Sequence, residues 1–210
     1  MTTTALPAQT FTPTRRRFTV EEYCAMAEAG ILAEDERVEL LDGEIFVMPP
    51  IGPPHEDGTT RLSRDLILRL GDRAWVRVQN SVRLNDYGLP EPDIAVVRFR
   101  DDYHRNRPTP ADVLLVIEVA DSSLRRDREL KLPHYAAAGI PEFWIPNVPA
   151  RHVEAFSDPV DGVYQSRRTI PADGQISPIA FPDVVLTVGE FLLGDPGSEG
   201  DETGTLGTDS

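Results

Sequence analysis

Cysteine is nearly absent from this sequence, and no apolar run in it is long. The single cysteine, Cys24, excludes an intrachain disulfide and a zinc site built from several cysteines. The longest apolar run, around residues 113–119, is strand-sized and much shorter than the ~20 residues needed to span a bilayer. A secretory signal is not predicted either, because Arg15, Arg16 and Arg17 follow a Thr/Pro/Ala stretch with no apolar segment after them. We therefore expect a cytoplasmic protein without a membrane segment.

Basic residues are also few. The chain has 21 lysines and arginines against 35 aspartates and glutamates, which gives a formal net charge of -14. A chain this acidic lacks the broad basic surface that drives non-specific binding to phosphates. Any contact with nucleic acid would therefore depend on bound divalent cations and a local basic patch.

One folded domain with two polar ends is predicted from length and composition. The chain has 210 residues, of which 40% are hydrophobic, enough for a sizeable core. Residues 1–17 are Thr/Pro/Ala-rich and then basic, whereas residues 194–210 are rich in glycine and acidic residues. Neither end can bury enough apolar surface to fold. We expect a disordered segment at 1–17, a domain at 18–193 and a disordered acidic tail at 194–210.

Capping and turn residues mark the predicted helices and hairpins. Thr19 and Glu22 form a capping-box pattern at the start of a helix. Asp42-Gly43 and Asp161-Gly162 separate alternating segments, which predicts two hairpins. The predicted order is a helix at 19–30, strands at 37–41 and 44–48, a helix at 55–70, strands at 75–84, 93–99 and 112–119, a helix at 121–138, strands at 142–145, 153–156 and 163–168, and one or two helical turns at 187–193.

This order predicts a mixed sheet with helices packed on it, an α/β or α+β domain. The unbroken apolar run at 113–117 predicts a central strand that is covered on both faces. Trp75 and Trp144 are expected in the core. Pro133 removes one backbone hydrogen bond from the predicted 121–138 helix, so we expect a kink there.

Two acidic strand ends and one lysine have the chemistry of a metal-dependent hydrolytic site. Asp93 opens one predicted strand and Glu118 ends the next, so the two can share a site if these strands pair antiparallel or meet at offset ends. Magnesium usually binds one or two carboxylates together with waters and substrate oxygens. Asp127, Lys131 and Tyr135 recur at helical spacing on one face. A lysine ammonium near the carboxylates would orient a water and stabilise charge during phosphodiester hydrolysis.

Each of these residues also has an ordinary structural interpretation. Asp93 is a typical turn residue, and Glu118 is a typical solvated or salt-bridged group at a strand end. Lys131, four residues after Asp127, matches a helical ion pair. Glu39 lies in an alternating strand and could simply face water. His104, His134 and His152 share no ligand spacing, so a histidine zinc site is not predicted.

Taken together, the ordered motifs resemble the Uma2 family, a large bacterial group with the PD-(D/E)XK restriction-endonuclease-like fold. The resemblance covers roughly residues 18–193, and no single motif is specific. Their order and spacing, with the Gly-Ile-Pro-Glu-Phe-Trp ending, make the combination strong. The matching stretches are Val38-Glu-Leu-Leu-Asp-Gly-Glu44, the histidine at 55, Pro92-Asp93, Ile117-Glu-Val-Ala-Asp-Ser-Ser123, Asp127-Arg-Glu-Leu-Lys131, Tyr135 and Ala138-Gly-Ile-Pro-Glu-Phe-Trp-Ile145.

The resemblance implies a restriction endonuclease-like core, in which a mixed sheet is flanked by helices and followed by an extra C-terminal β-hairpin region. It implies Asp93 and Glu118 as ligands of Mg²⁺ or Mn²⁺, and Lys131 as the catalytic lysine. Glu39 would be a further ligand or a water-positioning group. Many nucleases of this fold carry the lysine two residues after the glutamate, where this chain has Ala120. In the Uma2-like pattern the lysine has moved to the following helix, and Lys131 matches it.

Five further residues are candidates for supporting roles. His55, Asp127 and Tyr135 would lie around the carboxylates, although His55 could equally cap the helix that begins there. Arg125 and Arg126 would contact phosphate beside the site.

The function that the resemblance implies is a metal-dependent endonuclease that hydrolyses phosphodiester bonds in nucleic acid, most simply DNA. A homodimer would fit, since cleavage of both strands usually takes two sites related by a two-fold axis. The alternative is a catalytically weak or inactive binding or assembly module that keeps the fold. The strong negative charge and Ala120 favour that alternative.

Overall fold

The computed structural model describes residues 15–193. The predicted tail at 194–210 and residues 1–14 of the predicted N-terminal segment lie outside the described residues. Arg17, the last residue of that segment, lies against the first hairpin, where its Nε donates to the Asp42 carbonyl oxygen at 2.8 Å.

The described residues form α-helices and β-strands in a mixed order. Among them, no helix has the length and apolar character that a membrane crossing requires. The elements are α1 (Val20–Glu28), β1 (Val38–Leu41), β2 (Glu44–Val47), α2 (Pro53–Leu70), a 3₁₀ turn (Gly71–Arg73), β3 (Ala74–Val78), β4 (Ile94–Arg98), β5 (Val113–Ile117), α3 (Leu124–Arg126), a π-helical turn (Asp127–Lys131), α4 (Leu132–Ala137), β6 (Glu142–Asn147), β7 (His152–Val160), β8 (Val163–Pro171), β9 (Gln175–Ile176), β10 (Leu186–Thr187) and α5 (Val188–Phe191).

A six-stranded mixed sheet forms the centre of the domain, with strand order β3-β4-β5-β6-β7-β8. Strands β5 and β6 are parallel, and the other neighbouring pairs in this sheet are antiparallel. The long hairpin of β7 and β8 extends the sheet beyond β6, and β8 is the edge strand opposite β3. The predicted fold class, a mixed sheet flanked by helices, is confirmed.

Both faces of the central strands are covered by apolar side chains. Leu115 and Ile117 of β5 belong to one core, together with leucines of α2 and residues of α5. Val113 and Val116 belong to a second core, which includes residues of α4 and β6. The prediction of a central strand buried on both faces is therefore confirmed for β5.

The predicted caps and turns are present. Thr19 forms a capping box with Glu22 at the start of α1. Asp42 and Gly43 both have positive φ, 51° and 78°, as the two central residues of a type I′ hairpin turn require. A Cβ on Gly43 would lie 2.5 Å from the Cβ of Arg17, so the glycine also allows the N-terminal segment to pack closely.

Strand β3 is shorter than the predicted strand at 75–84. It ends at Val78, and Gln79 has a φ of 49°, which turns the chain out of the sheet. Beyond the turn, Val82 and Leu84 donate their backbone N–H groups to Pro90 and Gly88. The side chains of Val82 and Leu84 are buried in the second core although the backbone there is a loop. Their alternation with polar residues therefore resembled that of a strand.

The core position predicted for Trp75 was wrong, whereas that of Trp144 was right. Trp144 is fully buried, but Trp75 lies on the edge strand β3 and is 46% exposed. The short pair of β9 and β10 was not predicted, because two-residue strands carry no periodic signal.

The predicted helix at 121–138 is divided into α3, a π-helical turn and α4. The Leu132 N–H donates to the Asp127 carbonyl, five residues back, which is the π-helical pattern. Pro133 has no N–H with which to continue a regular α-helical ladder. The predicted irregularity is present, and it takes the form of a widened turn before the proline.

Candidate active site

The register of β4 and β5 brings two acidic residues to one edge of the sheet. Ile94 pairs with Ile117 in the antiparallel ladder. Asp93 comes immediately before Ile94 and Glu118 immediately after Ile117, so the two residues leave the ladder at the same end. Both side chains are buried. The sequence-based condition for a shared site, antiparallel pairing of these strands, is met.

Lys131 reaches across to this edge from the π-helical turn. Its Nζ lies 3.0 Å from Oε2 of Glu118 and 3.1 Å from Oε1 of Glu39, and only 4% of the side chain is exposed. Strand β1 carries Glu39 into the same cluster. No ion pair between Asp127 and Lys131 forms in the described part of the chain. Lys131 is therefore directed at the two glutamates and not along its own helix.

Two further side chains hold the strand-end carboxylates in place. His55 Nε2 lies 2.9 Å from Oδ2 of Asp93, and the Val119 N–H donates to the same oxygen at 2.8 Å. Because an ionised carboxylate only accepts hydrogen bonds, Nε2 of His55 carries the hydrogen. The Tyr135 hydroxyl donates to Oε1 of Glu118 at 2.8 Å. His55 contacts a carboxylate from inside α2, so a simple capping role does not describe it.

Asp127 and Arg126 border the cluster, and Arg125 does not. Asp127 is buried and accepts a hydrogen bond from the Ser123 hydroxyl at 2.6 Å. Arg126 Nε lies 3.8 Å from Oδ1 of Asp127, with its side chain 31% exposed. Arg125 is directed to solvent, where it pairs with Glu129.

A small cavity of about 20 Å³ adjoins the cluster, and its lining includes Glu39, Asp93, Glu118 and Lys131. This volume is sufficient for about one water molecule. Three buried polar atoms of its lining residues, Oε2 of Glu39, Nδ1 of His55 and Nε of Arg126, have no hydrogen-bond partner within the described residues. The cavity therefore has unused acceptor capacity next to the carboxylates.

A second cavity of about 30 Å³ lies next to the first and shares His55, Ser123 and Arg126 with it. Pro49 and Ile51, from the segment between β2 and α2, also line both cavities. This proline-rich segment therefore forms one wall of the site, and Arg126 forms part of the opposite wall.

Negative charge is in excess in the cluster, and it shifts several pKa values. Burial raises the pKa of Glu118 well above its usual value, and the carboxylates of Asp93, Glu39 and Asp127 raise it further. Burial also raises the pKa of Asp127. Burial alone would lower the pKa of Lys131, but Glu118 and Glu39 outweigh that effect, so the pKa stands above its usual range. The cluster thus holds four buried carboxyl groups against the Lys131 ammonium group and the bordering Arg126 guanidinium.

The donor set fits a hard divalent cation. Carboxylate oxygens are the ligands that Mg²⁺ and similar ions take in proteins, and buried negative charge requires a compensating cation. The unpartnered Oε2 of Glu39 is one acceptor that is available for this purpose. Within residues 15–193, however, no group of three or more His, Cys, Asp or Glu side chains is arranged as a ready metal site. Binding of an ion would therefore require adjustment of the Lys131 contacts.

Sequence reasoning missed several residues that line the first cavity. Arg37, Met48 and Glu91 contribute to its wall, as does Ser123 through its bond to Asp127. Glu91 lies two residues before Asp93, which was the available signal for it. Arg37 and Met48 flank the β1–β2 hairpin, and nothing in their local pattern indicates the cavity.

Comparison with protein families gives a match over most of the chain. Residues 20–189 match the model of the Uma2 family, which is described as "Putative restriction endonuclease". Comparison with curated protein sequences gives no match.

Comparison with solved structures gives a match at the level of the fold. The crystal structure of "a putative nuclease belonging to DUF820" from Anabaena variabilis superposes with a TM-score of 0.66 at 13% sequence identity. The alignment covers 83% of this chain and 97% of that one. At this identity, the likeness shows a shared fold.

Proposed function

Because this chain belongs to the Uma2 family, we propose that it is a metal-dependent endonuclease that hydrolyses phosphodiester bonds in nucleic acid. The observation that carries the proposal is the buried contact of Lys131 with Glu118 and Glu39, beside Asp93 at the same sheet edge. Burial of three acidic residues and a lysine around a water-sized cavity costs folding free energy. Such clusters of buried ionisable groups are typical of functional sites.

In this proposal Asp93 and Glu118 hold the divalent ion, with Glu39 as a third oxygen donor. Mg²⁺ is the first choice and Mn²⁺ the second, because all three ligands are carboxylates. When bound, the ion would supply charge neutralisation at the phosphoryl group. His55 and Tyr135 orient the carboxylates of Asp93 and Glu118 through the contacts described above.

Lys131 acts as a hydrogen-bond donor and not as a base. Its raised pKa keeps the ammonium group protonated at neutral pH, so it has no lone pair with which to remove a proton. A protonated lysine beside the cavity orients the attacking water and stabilises negative charge on the phosphoryl oxygens. Arg126, on the wall shared by the two cavities, is the candidate for a contact with the substrate phosphate.

DNA is the proposed substrate, and a homodimer is the proposed form for cleavage of both strands. The cytoplasm remains the proposed compartment, because a single cysteine offers no intrachain disulfide.

The test combines metal binding with cleavage. Saturating Mg²⁺ or Mn²⁺ should raise the thermal midpoint by about 5–10 °C at 100-fold excess over Kd. The protein should nick supercoiled plasmid only when the ion is present. Asp93→Asn and Glu118→Gln should each remove the thermal shift and lower the cleavage rate by at least about 100-fold.

Asp112→Asn is the matched control for Asp93→Asn. Asp112 is also a buried aspartate at the start of a strand, but it lies at the opposite end of β5, paired with Arg100. It should keep both metal binding and cleavage. Absence of any metal-dependent thermal shift and of nicking in the wild-type protein would refute the proposal.

The second candidate is a nuclease-fold binding or assembly module without turnover. The observation that favours it is that Lys131 already pairs with two of the proposed ligands, and the described residues hold no ready metal site. In that case no divalent ion would change the thermal midpoint of the wild-type protein, and Asp93→Asn and Glu118→Gln would raise thermal stability by relieving repulsion equally with and without the ion.

A further inference from the structure

A groove of about 390 Å³ lies apart from the carboxylate cluster, beside the edge strand β3. Its volume falls within the range of about 300–1,000 Å³ that is typical of ligand sites. The residues lining it combine aromatic rings with arginines: Trp75, Arg77, Arg100, Asp101, Tyr103 and His104.

Trp75 in the wall of the groove is exposed, and it stacks on Phe99, which lies beside the groove. Trp75 and Phe99 are 46% and 50% exposed, and their rings stack with centroids 5.4 Å apart and planes 9° apart. The indole Nε1–H donates to the Arg100 carbonyl oxygen at 3.1 Å, which fixes the orientation of the ring. Large aromatic side chains held in this way in contact with water are typical of binding surfaces.

Arg77 supplies a cation that has no acidic partner among residues 15–193. Its guanidinium lies 5.5 Å from the centroid of the Tyr103 ring, and its Nε is buried without a hydrogen-bond partner within the described residues. Burial lowers the pKa of Arg77, and no carboxylate contributes to that shift. Arg100, by contrast, is paired with Asp102 and Asp112. Arg77 is therefore the cation in the groove that an anionic ligand would neutralise.

The segment that forms the groove is basic within an acidic chain. Residues 97–109 hold four arginines against two aspartates, whereas the whole chain carries a net charge of -14. Of these arginines Arg100 lines the groove, and it is already paired with Asp102 and Asp112, so the attraction for a phosphate comes from Arg77. Exposed aromatic rings add a surface on which unpaired bases stack, whatever their sequence.

The groove lies on the same face of the sheet as the candidate active site, beyond the opposite end of β4 from Asp93. Ala74 and Val76 pack into the first core, so the alternation of β3 directs Trp75 and Arg77 to the opposite face. Tyr103 packs on the second core, which also contains Tyr135, the residue that holds Glu118. Trp75, a groove residue on β3, lies three positions, or about 10 Å along the strand, from Val78, whose partner Ile94 adjoins Asp93.

We propose that this groove is an accessory site for single-stranded nucleic acid, in which an unpaired base stacks on Trp75 and a backbone phosphate contacts Arg77. The proposal rests on the proposed function for the identity of its ligand class. It adds a preference for unpaired strands, because bases within a duplex are already stacked on their neighbours and cannot reach the indole.

The experiment uses the intrinsic fluorescence of the full-length protein. The chain has two tryptophans, and Trp144 is fully buried, so a contact quencher acts on Trp75. An oligothymidylate should quench this emission saturably in EDTA, where no cleavage occurs, and a duplex of equal length should bind more weakly. With a labelled oligothymidylate, anisotropy should show affinity lower by about tenfold or more for Trp75→Ala. Trp75→Phe should restore most of the loss.

Matched controls lie on α2, which packs against the other face of the sheet. Arg77→Gln should weaken binding several-fold, whereas Arg69→Gln, with the same change of charge, should not. Leu68→Ala removes an apolar side chain that is even more exposed, at 68% against 46% for Trp75, and this variant should also bind normally. Thermal midpoints of all the variants should stay close to that of the wild-type protein, because the substituted side chains are exposed or half-buried.

Equal affinity of Trp75→Ala and wild type, or equal affinity for duplex and single strand, would overturn the inference. Metal-dependent cleavage is measured separately, so the two proposals fail independently. Cleavage without any effect of Trp75→Ala on binding or rate would refute the groove and leave the endonuclease proposal intact. Trp75-dependent binding without cleavage would refute the endonuclease proposal and leave the groove intact.

Discussion

Two buried glutamates show how neighbours decide the role of a charged residue in this sheet. Glu118 shares Lys131 with other carboxylates, so its pKa is raised by burial and by Asp93 and Glu39. Glu154 is equally buried, but Arg128, Arg167 and His152 lie within ion-pair distance of it. Burial is the largest single effect and opposes ionisation of Glu154 too, yet the hydrogen bonds and charges of Arg128, Arg167 and His152 together outweigh it and lower the pKa.

Opposite stability effects are therefore expected from the same substitution at these two positions. The folded-state pKa of Glu118 lies above its unfolded value of about 4.5. Protonated Glu118 therefore stabilises the fold fully below about pH 4.5, and this contribution is lost as the pH rises through the folded-state pKa. Glu118→Gln should stabilise the metal-free protein at about pH 8 by on the order of 1 kcal/mol or more, and hardly at all near about pH 4. Glu154→Gln should destabilise it at about pH 8 by about 1–3 kcal/mol, because its pKa is depressed and its cations lose their partner.

Urea denaturation of both variants in EDTA, as a function of pH, measures these differences. A Glu118→Gln variant that is less stable than wild type at about pH 8 would contradict the charge-excess interpretation of the cluster. Glu154→Gln is the internal control, because it has the same chemistry and comparable burial.

At the residue scale, the sequence indicated the cluster through residue type and position at strand ends. Asp93 and Glu118 come together because β4 and β5, which are consecutive in the chain, pair antiparallel. Lys131 lies in the helical segment that follows β5. The sequence does not show that Arg125 points to solvent while Arg126 borders the cavity. Adjacent residues on a helix point in different directions, and which of them points to the cavity depends on how the helix packs. The exposure of Trp75 was also missed, because an edge position depends on strand order and not on local pattern.

At the scale of elements, strong local signals were sufficient for α1, α2 and both hairpins. The capping box, the Asp-Gly turns and the helical spacing of leucines are short-range features that tertiary contacts did not override. The π-helical turn at Asp127–Lys131 was not predicted in form. It depends on where the side chains of Asp127 and Lys131 are buried, and that is a property of the packed domain.

This turn sets the direction of Lys131, and Pro133 maintains it. Pro133→Ala restores an N–H that can donate to the Glu129 carbonyl and favours regular α-helical spacing, since proline in a helix interior costs about 3 kcal/mol. We expect a thermal midpoint equal to or above that of wild type. Cleavage should fall by about 10- to 100-fold, because a shift of about 1 Å in the lysine is sufficient for such a loss.

Glu129→Gln is the control for this substitution. Glu129 lies in the same turn, exposed and paired with Arg125 at the surface, so its loss should change neither quantity. Circular dichroism melting and plasmid nicking measure the two effects. A Pro133→Ala variant with wild-type cleavage would show that the π-helical turn does not position Lys131.

At the scale of the whole molecule, the acidic surface limits how nucleic acid can be bound. Many arginines of the described residues are neutralised by nearby acids, as Arg61 is by Asp57, Arg73 by Asp183 and Arg83 by Glu21. Few cations are thus free to displace counterions from a phosphate backbone. Affinity must come from a small number of local contacts, such as Arg77 and Arg126, together with base stacking on Trp75.

The salt dependence of binding tests this distribution of charge. With about two or three phosphate contacts, the slope of log Kobs against log salt for oligothymidylate should be no steeper than about -2, at about 0.7 per contact. Arg77→Gln should make the slope shallower by about 0.7, whereas Arg69→Gln should leave it unchanged. The measurement is a series of anisotropy titrations in EDTA at increasing NaCl. A slope of about -4 or steeper would mean that nucleic acid contacts a broad basic surface, which the described residues of this acidic chain do not provide.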